Sequence, residues 1–230
     1  DDVVYVRPTD GVSPAVRLGE GIAQDLSPDG KWALAFPVSS PDHVLLLPTG
    51  PGESRAVDTG GIICKFAIFF PDGRRVLIQG EKKGEPRRLY VLPIAGGSPR
   101  AITPAGVSMA VRVSPDGKHA AGWAPGPGRV LNLYPVDGSA GEPRSISGIA
   151  EDENPRAWDS TGGFLYLVKG TKILRLDVSS GRKEPWMDLS NSAEGGTVDG
   201  DSVQVTPDGR FCAYARFHSA SELYLATGLR

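Results

Sequence analysis

Ser114-Pro115-Asp116-Gly117 separates two apolar stretches, and the same four-residue pattern recurs along the chain. The other copies are Ser27-Pro28-Asp29-Gly30, Phe70-Pro71-Asp72-Gly73, Thr206-Pro207-Asp208-Gly209 and a degenerate copy, Asp159-Ser160-Thr161-Gly162. Their last glycines stand at positions 30, 73, 117, 162 and 209, so successive copies are 43 to 47 residues apart. Self-similarity at such a period predicts a repeat protein in which each repeat is one supersecondary unit.

Each copy has the residue types of a tight turn between two strands. Proline presets φ at the second turn position, aspartate can bond its own backbone, and glycine accepts a positive φ. Apolar stretches of strand length flank each turn, as at residues 66–70 and 76–78. A third apolar stretch and a shorter, more polar one complete the period, as at 89–92 and 99–102. Four strands in roughly 44 residues are typical of a propeller blade.

The repeat therefore predicts an all-β chain, folded as one β-propeller of about five four-stranded blades. The predicted boundaries are a half blade at 1–20 and blades at 21–60, 61–104, 105–148, 149–190 and 197–230. The N-terminus resembles the third and fourth strands of a blade, and the C-terminus supplies a first, second and third strand. The two ends thus give one strand more than a shared blade needs. A compact five-blade unit with a surplus strand is favoured, and part of a larger propeller is the alternative.

The amino-acid composition of the chain limits the classes of function that it can have. The chain has 230 residues and a net charge of −2, and it has no basic stripe, which disfavours nucleic-acid binding. No apolar stretch is long enough to span a bilayer, so membrane insertion by this chain is not expected. Cys64 and Cys212 lie in strand-like apolar contexts and are predicted to be buried thiols, with a disulfide between them left open. Two cysteines and three scattered histidines predict neither a metal site nor a cofactor.

No catalytic residue is predicted, because the sequence has no Gly-x-Ser-x-Gly elbow and its histidines stand at unrelated positions in their repeats. Acidic residues do precede the fourth and fifth blades. Glu151, Asp152 and Asp201 lie in loops that enter an innermost strand, near one mouth of a propeller channel. They are candidate loop contacts for a cation or a basic partner. Trp186, after Glu184-Pro185, is a candidate contact of the same kind.

The innermost strands carry the more informative positions. Counting back from each turn glycine, the fourth residue is always apolar, and the fifth residues are Asp25, Ile68, Arg112, Ala157 and Gln204. Successive residues of a strand point to opposite faces, so the polar members of the second set are predicted to face the axial channel. The predicted channel or ligand-binding residues are Asp25, Lys65, Arg112, Arg156 and Gln204. Such a channel can hold water, an ion or a small anionic ligand, and pairing of Asp25 with Arg112 or Arg156 is equally compatible.

The Ser-Pro-Asp-Gly-Lys turn, the Leu-Tyr-Val strand and the Gly-Gly or Asp-Gly turn together resemble the Pro-Asp repeats of TolB-like, or WD-like, propellers. This resemblance covers essentially the whole chain. A narrower one rests on residues 7–21, 47–50 and 222–230, which are similar to the C-terminal propellers of membrane-anchored bacterial serine/threonine protein kinases. It implies a sensor or interaction module joined to a kinase outside this chain. A parent of that kind would make the propeller extracytoplasmic, although the chain itself does not fix its compartment.

The leading prediction is a non-catalytic propeller that binds a protein, a peptide or a small ligand on one face. Two alternatives stay open. TolB-like repeats also resemble the propellers of prolyl-oligopeptidase-type peptidases and of some polysaccharide lyases, which would make the chain the propeller of a hydrolase or lyase. The second alternative is a purely structural module that oligomerises through its blade edges. Fold alone does not decide among these functions.

Overall fold

The computed structural model describes residues 2–37, 39, 42–137, 142–190 and 197–217. Within them, the chain forms antiparallel sheets and one turn of 3₁₀ helix. At the N-terminus, β1 (Val3–Val6) pairs with β2 (Val16–Glu20). The buried Val4 side chain packs this hairpin on the first complete sheet, against Ala33 and Leu47. The prediction of an all-β fold is confirmed.

Four complete four-stranded sheets follow, each with its strands adjacent in chain order. The first blade is β3 (Ile22–Leu26), β4 (Trp32–Phe36), β5 (His43–Pro48) and β6 (Arg55–Asp58); the second is β7 (Ile63–Phe69), β8 (Arg75–Glu81), β9 (Arg88–Pro93) and β10 (Arg100–Ala101); the third is β11 (Ser108–Val113), β12 (His119–Trp123), β13 (Leu131–Pro135) and β14 (Arg144–Ile146); the fourth is β15 (Asn154–Trp158), β16 (Phe164–Lys169), β17 (Lys172–Asp177) and β18 (Lys183–Asp188). The inner strands β3, β7, β11 and β15 contact one another in that order. This is the arrangement of consecutive propeller blades.

The fifth sheet is divided into two short pairs. Its strands are β19 (Thr197–Val198), β20 (Gln204–Val205), β21 (Cys212–Ala213) and β22 (Arg216–Phe217), with a 3₁₀ turn at Gly200–Ser202. β20 pairs with β21, whereas β22 pairs with β19. The sequence pattern predicts one strand over 211–215, but the Ala215 N–H donates to Ser202 Oγ at 2.7 Å and interrupts it. Residues 223–225, where the sequence pattern predicts the third strand of the C-terminus, lie outside the described residues.

The recurrent turn owes its shape to a repeated set of hydrogen bonds. In the first blade, Ser27 Oγ donates to Asp29 Oδ1 at 2.7 Å and accepts from the Trp32 N–H at 2.9 Å. Gly30 has a φ of 70°, in the left-handed region that favours glycine. Ser114 and Thr206 make the same pair of bonds in the third and fifth blades. The turn motif therefore fixes the hairpin that joins the first two strands of a blade.

A β-bulge interrupts the pairing of each inner strand with its neighbour in the four complete blades. The extra residues lie between Ala23 and Asp25, between Cys64 and Phe66, between Ala110 and Arg112, and between Pro155 and Ala157. A bulge bends a strand and changes the direction of the residues that follow it. In β3, β11 and β15 it directly precedes the residue that reaches the propeller axis.

Apolar side chains fill the space between successive blades. Four clusters of buried residues occupy this space, and each includes residues of two successive blades. Examples are Leu34 with Ala67, Leu77 with Ala120, Trp123 with Leu165, and Val168 with Val205. In the described part of the chain, some apolar side chains of the first and fifth blades stay exposed. Leu26 is 47% exposed and Phe211 is 64% exposed. Burial of apolar area between blades therefore provides the main stabilisation of the arc.

Cys64 and Cys212 are both free thiols. Burial raises the pKa of Cys64 to about 12, which keeps this thiol protonated and unreactive at neutral pH. In the described residues, no helix is long and apolar enough to cross a membrane.

Candidate functional site

A cavity of about 480 Å³ lies where the five inner strands converge, next to the Pro-Asp-Gly turns. Two residues of each inner strand and the prolines of four turns line it. They are Asp25, Leu26, Pro28, Ile68, Phe69, Pro71, Arg112, Val113, Pro115, Ala157, Trp158, Gln204, Val205 and Pro207. Because every blade contributes the same two positions, the cavity follows directly from the repeat.

Arg112 connects three blades on the wall of this cavity. Its Nε–H donates to the carbonyl oxygen of Arg156 at 3.1 Å, and its Nη2 donates to Gln204 Oε1 at 2.7 Å. Arg156 is the bulge residue of β15, and its carbonyl is displaced from the ladder to β16. A guanidinium fixed by two bonds loses little further freedom when it binds a ligand.

Asp25 ties the first blade to the second. Its Oδ2 accepts a hydrogen bond from the Phe69 backbone N–H at 2.8 Å. Burial raises the pKa of Asp25 above its ordinary value, while the Phe69 N–H and the charge of Arg112 act in the opposite direction. The carboxyl group therefore lies in a poorly solvated position within the field of Arg112.

The predicted channel residues take different positions. Asp25, Arg112 and Gln204 line the cavity, and two of them bond directly to each other. Among the described residues, the cavity wall includes neither Lys65 nor Arg156. Lys65 is the bulge residue of β7, and its Nζ lies 3.9 Å from Glu81 Oε1. Arg156 contributes its backbone carbonyl to Arg112.

Three of the predicted loop contacts, Glu151, Asp152 and Trp186, make contacts within the protein. Asp152 pairs with Lys169 at 2.8 Å, which lowers the pKa of the Asp152 carboxyl. The carbonyl of Glu151 accepts a hydrogen bond from Arg129. Trp186 is partly exposed and packs with Tyr166, with ring centroids 4.9 Å apart.

Asp201 lies in the 3₁₀ turn before β20. In the described part of the chain, no cluster of three or more His, Cys, Asp or Glu side chains has the proximity to hold a metal ion.

Sequence reasoning missed two features of this region. The apolar fourth residues before the turn glycines are not among the predicted channel residues, yet Leu26 and Trp158 border the cavity. The sequence assigns the turn prolines a conformational role, and the structure shows that they also line the cavity. Their constant offset from the glycine was the available signal, because equal positions in a propeller repeat lie at equal distances from the axis.

The comparisons with known proteins agree with this geometry. No protein-family model matches the chain, and no curated protein matches its sequence. A protein from Agrobacterium tumefaciens that is assigned as TolB is 22% identical, with a TM-score of 0.66 over 89% of this chain and 74% of that one. TolB from Acinetobacter baumannii is 16% identical, with a TM-score of 0.67 over 91% of this chain and 58% of that one.

An oligogalacturonate lyase in complex with manganese is 14% identical, with a TM-score of 0.58 over 85% of this chain and 59% of that one. At these identities the similarity concerns the fold, which is a TolB-like β-propeller. The prediction of a TolB-like propeller from the repeat is confirmed.

Proposed function

We propose that this TolB-like propeller is a non-catalytic binding module whose partner or ligand docks at the axial cavity. The observation that carries the proposal is the Arg112 guanidinium, which two hydrogen bonds hold in a largely apolar cavity. A fixed charged donor in an apolar concave site is the usual composition of a recognition site. The function of the module is to present this site where the inner strands of its blades converge.

The enzymatic alternative has less support from the side chains. A lyase or hydrolase acting through the loop acids requires carboxylates that are available to a substrate. Asp152 is paired with Lys169, and the neighbouring Glu153 accepts from Lys183 Nζ at 2.8 Å through both of its oxygens. Binding at the axis uses groups that retain hydrogen-bonding capacity, so we favour it over catalysis at the loops.

We further propose that the parent protein is a receptor-like bacterial serine/threonine kinase, with this propeller as its sensor region. The support is the resemblance of residues 7–21, 47–50 and 222–230 to such propellers. Reading the complete coding sequence tests it. A kinase domain with its Gly-rich, His-Arg-Asp and Asp-Phe-Gly motifs, followed by a membrane span, is the expected result. A coding sequence without a kinase domain would contradict this assignment.

The binding function itself can be tested by retention of partners on the immobilised chain. Extracts of cells that express the parent protein are passed over the unaltered chain, over Arg112→Gln and over Arg74→Gln, and bound proteins and small molecules are identified by mass spectrometry. Arg74 is an exposed arginine outside the cavity and provides a matched control. We expect specific species that R74Q retains and R112Q loses. Equal retention by both variants would exclude the axial cavity as the binding site.

A further inference from the structure

The polar groups of the axial cavity are divided between donors and an acceptor. Blades three and five contribute Arg112 and Gln204, and the first blade contributes Asp25. The equivalent positions of blades two and four are the apolar Ile68 and Ala157. The cavity therefore has a cationic donor group and an anionic acceptor group, and its apolar positions include Ile68 of the blade between them.

The donor group retains capacity for a ligand. Arg112 uses its Nε–H and one Nη2–H within the protein, which leaves the other N–H groups of its planar fork. Gln204 accepts from Arg112 through Oε1, so its amide NH₂ remains a donor beside the same guanidinium. Adjacent donors with a positive charge match the geometry of a carboxylate.

The acceptor group also retains capacity. Asp25 accepts the Phe69 N–H through Oδ2, and an ionised carboxylate has further lone pairs on both oxygens. The group is half-buried, so a cation brought next to it is screened less than at the surface. An ammonium group is a compact ligand cation that also donates hydrogen bonds.

The remaining wall is apolar and the space is small. Ile68, Val113, Ala157 and the turn prolines surround a volume of about 480 Å³. Small-molecule sites commonly have volumes of about 300–1,000 Å³. We propose that the cavity binds a small zwitterion, with its carboxylate on Arg112 and Gln204, its ammonium on Asp25 and an apolar body between them. This proposal rests on the binding function proposed above and names the chemical class of the ligand.

A free amino acid and a short peptide share this chemistry and differ in the distance between their charges. Titration calorimetry with L-leucine and with L-alanyl-L-leucine separates the two sources. N-acetyl-L-leucine lacks the ammonium group, L-leucinamide lacks the carboxylate, and inorganic phosphate probes a simple anion site. We expect saturable binding of at least one zwitterion, and binding weaker by about tenfold or more for both capped forms, because each leaves one charged group of the cavity unpaired.

Three variants locate the binding. Gln204→Glu keeps an acceptor for Arg112, removes the amide donor and adds a negative charge, so it should weaken zwitterion binding at least about tenfold while its thermal midpoint is maintained. Asp25→Asn should weaken the zwitterion but leave N-acetyl-L-leucine unchanged. Arg74→Gln, as a control, should bind like the unaltered chain.

Specific outcomes of these titrations would overturn the zwitterion proposal. No heat of binding for any zwitterion up to about 10 mM, or equal affinity for the capped forms or for phosphate, would overturn the proposal. Arg112-dependent retention of a partner in the absence of zwitterion binding would leave the proposed function intact and remove only this inference. If neither Arg112-dependent retention nor zwitterion binding is observed, the proposed function and this inference are both excluded.

Discussion

The Arg112 guanidinium in the third blade donates to the side chain of Gln204 in the fifth blade, 92 residues further along the chain, with 2.7 Å between Nη2 and Oε1. The same guanidinium also bonds the backbone of the fourth blade. One side chain thus couples three blades at the propeller axis. This connection holds the cationic donor of the cavity in place.

Replacing Arg112 by Gln should lower the free energy of unfolding by about 2 kcal/mol, because two hydrogen bonds from a charged donor are lost. Urea unfolding measures the change, and Arg74→Gln serves as the exposed control. If R112Q and R74Q unfold at the same urea concentration with the same slope, the three-blade connection contributes no stability.

Asp25→Asn should change the pH dependence of stability. Burial raises the pKa of Asp25 above its ordinary value of 3.8, so the folded chain keeps this proton to a higher pH than the unfolded chain. The contribution of the group is therefore complete below its unfolded pKa and is lost as pH rises through its folded pKa. The stability of D25N relative to the unaltered chain should rise with pH across that window. Urea unfolding at a series of pH values measures this, and a difference that is constant or falls with pH would contradict it.

Asp116 tests the turn motif. Its carboxylate accepts from the Ser114 hydroxyl and, at 3.0 Å, from the Lys118 N–H. Asp116→Ala removes both bonds and should cost about 1 kcal/mol. Asp116→Asn keeps an acceptor and should cost less than half of that. Thermal unfolding of the two variants decides the matter, since equal losses would mean that the side-chain bonds of the turn are not what stabilises it.

Glu153 and Lys183 form a buried connection between the loop before the fourth blade and its outer strand. The Glu153 side chain is 4% exposed, and both of its oxygens lie 2.8 Å from Lys183 Nζ. Lys183→Met leaves a buried carboxylate without its cation and should cost about 3 kcal/mol. The double variant with Glu153→Gln should recover part of that loss. A double variant as unstable as the sum of the single ones would show that the two groups act independently.

Gly80 in β8 lies in close contact with its neighbours. A Cβ at this position would lie 2.4 Å from Ile62 Cγ2 and 2.7 Å from the Ile63 carbonyl oxygen. Gly80→Ala should therefore cost about 2–3 kcal/mol through overpacking. Gly50→Ala, where a Cβ meets nothing within 4 Å, should be nearly neutral. Chemical unfolding of the two variants compares them, and similar stabilities would contradict the close packing at Gly80.

The fold was predictable because its signals are local and repeated. The turn residues determine their own hairpins, and five copies at a nearly constant spacing need no knowledge of long-range contacts. The positions of Asp25, Arg112 and Gln204 on the axis followed from strand alternation counted from each turn glycine.

Other features depend on contacts that the alternation of residues along a strand does not predict. Lys65 and Arg156 are bulge residues, and a bulge breaks the two-residue period on which the count relies. The pairing of Asp152 with Lys169 joins the loop before β15 to the end of β16, and the sequence does not state how these two segments lie relative to each other. The 211–215 stretch is divided where the Ala215 N–H donates to Ser202 Oγ, and no local sequence pattern predicts this hydrogen bond.

The central claim is that the axial cavity is where this propeller binds. Photo-cross-linking tests it most directly, with a photoreactive residue at Leu26 on the cavity wall or at Met187, an exposed residue on the outer strand of the fourth blade. Incubated with extract from cells that express the parent protein, the Leu26 probe should cross-link to a defined species, and Arg112→Gln in the same chain should abolish that product. Cross-links from Met187 alone would place binding on the outer rim and contradict the account.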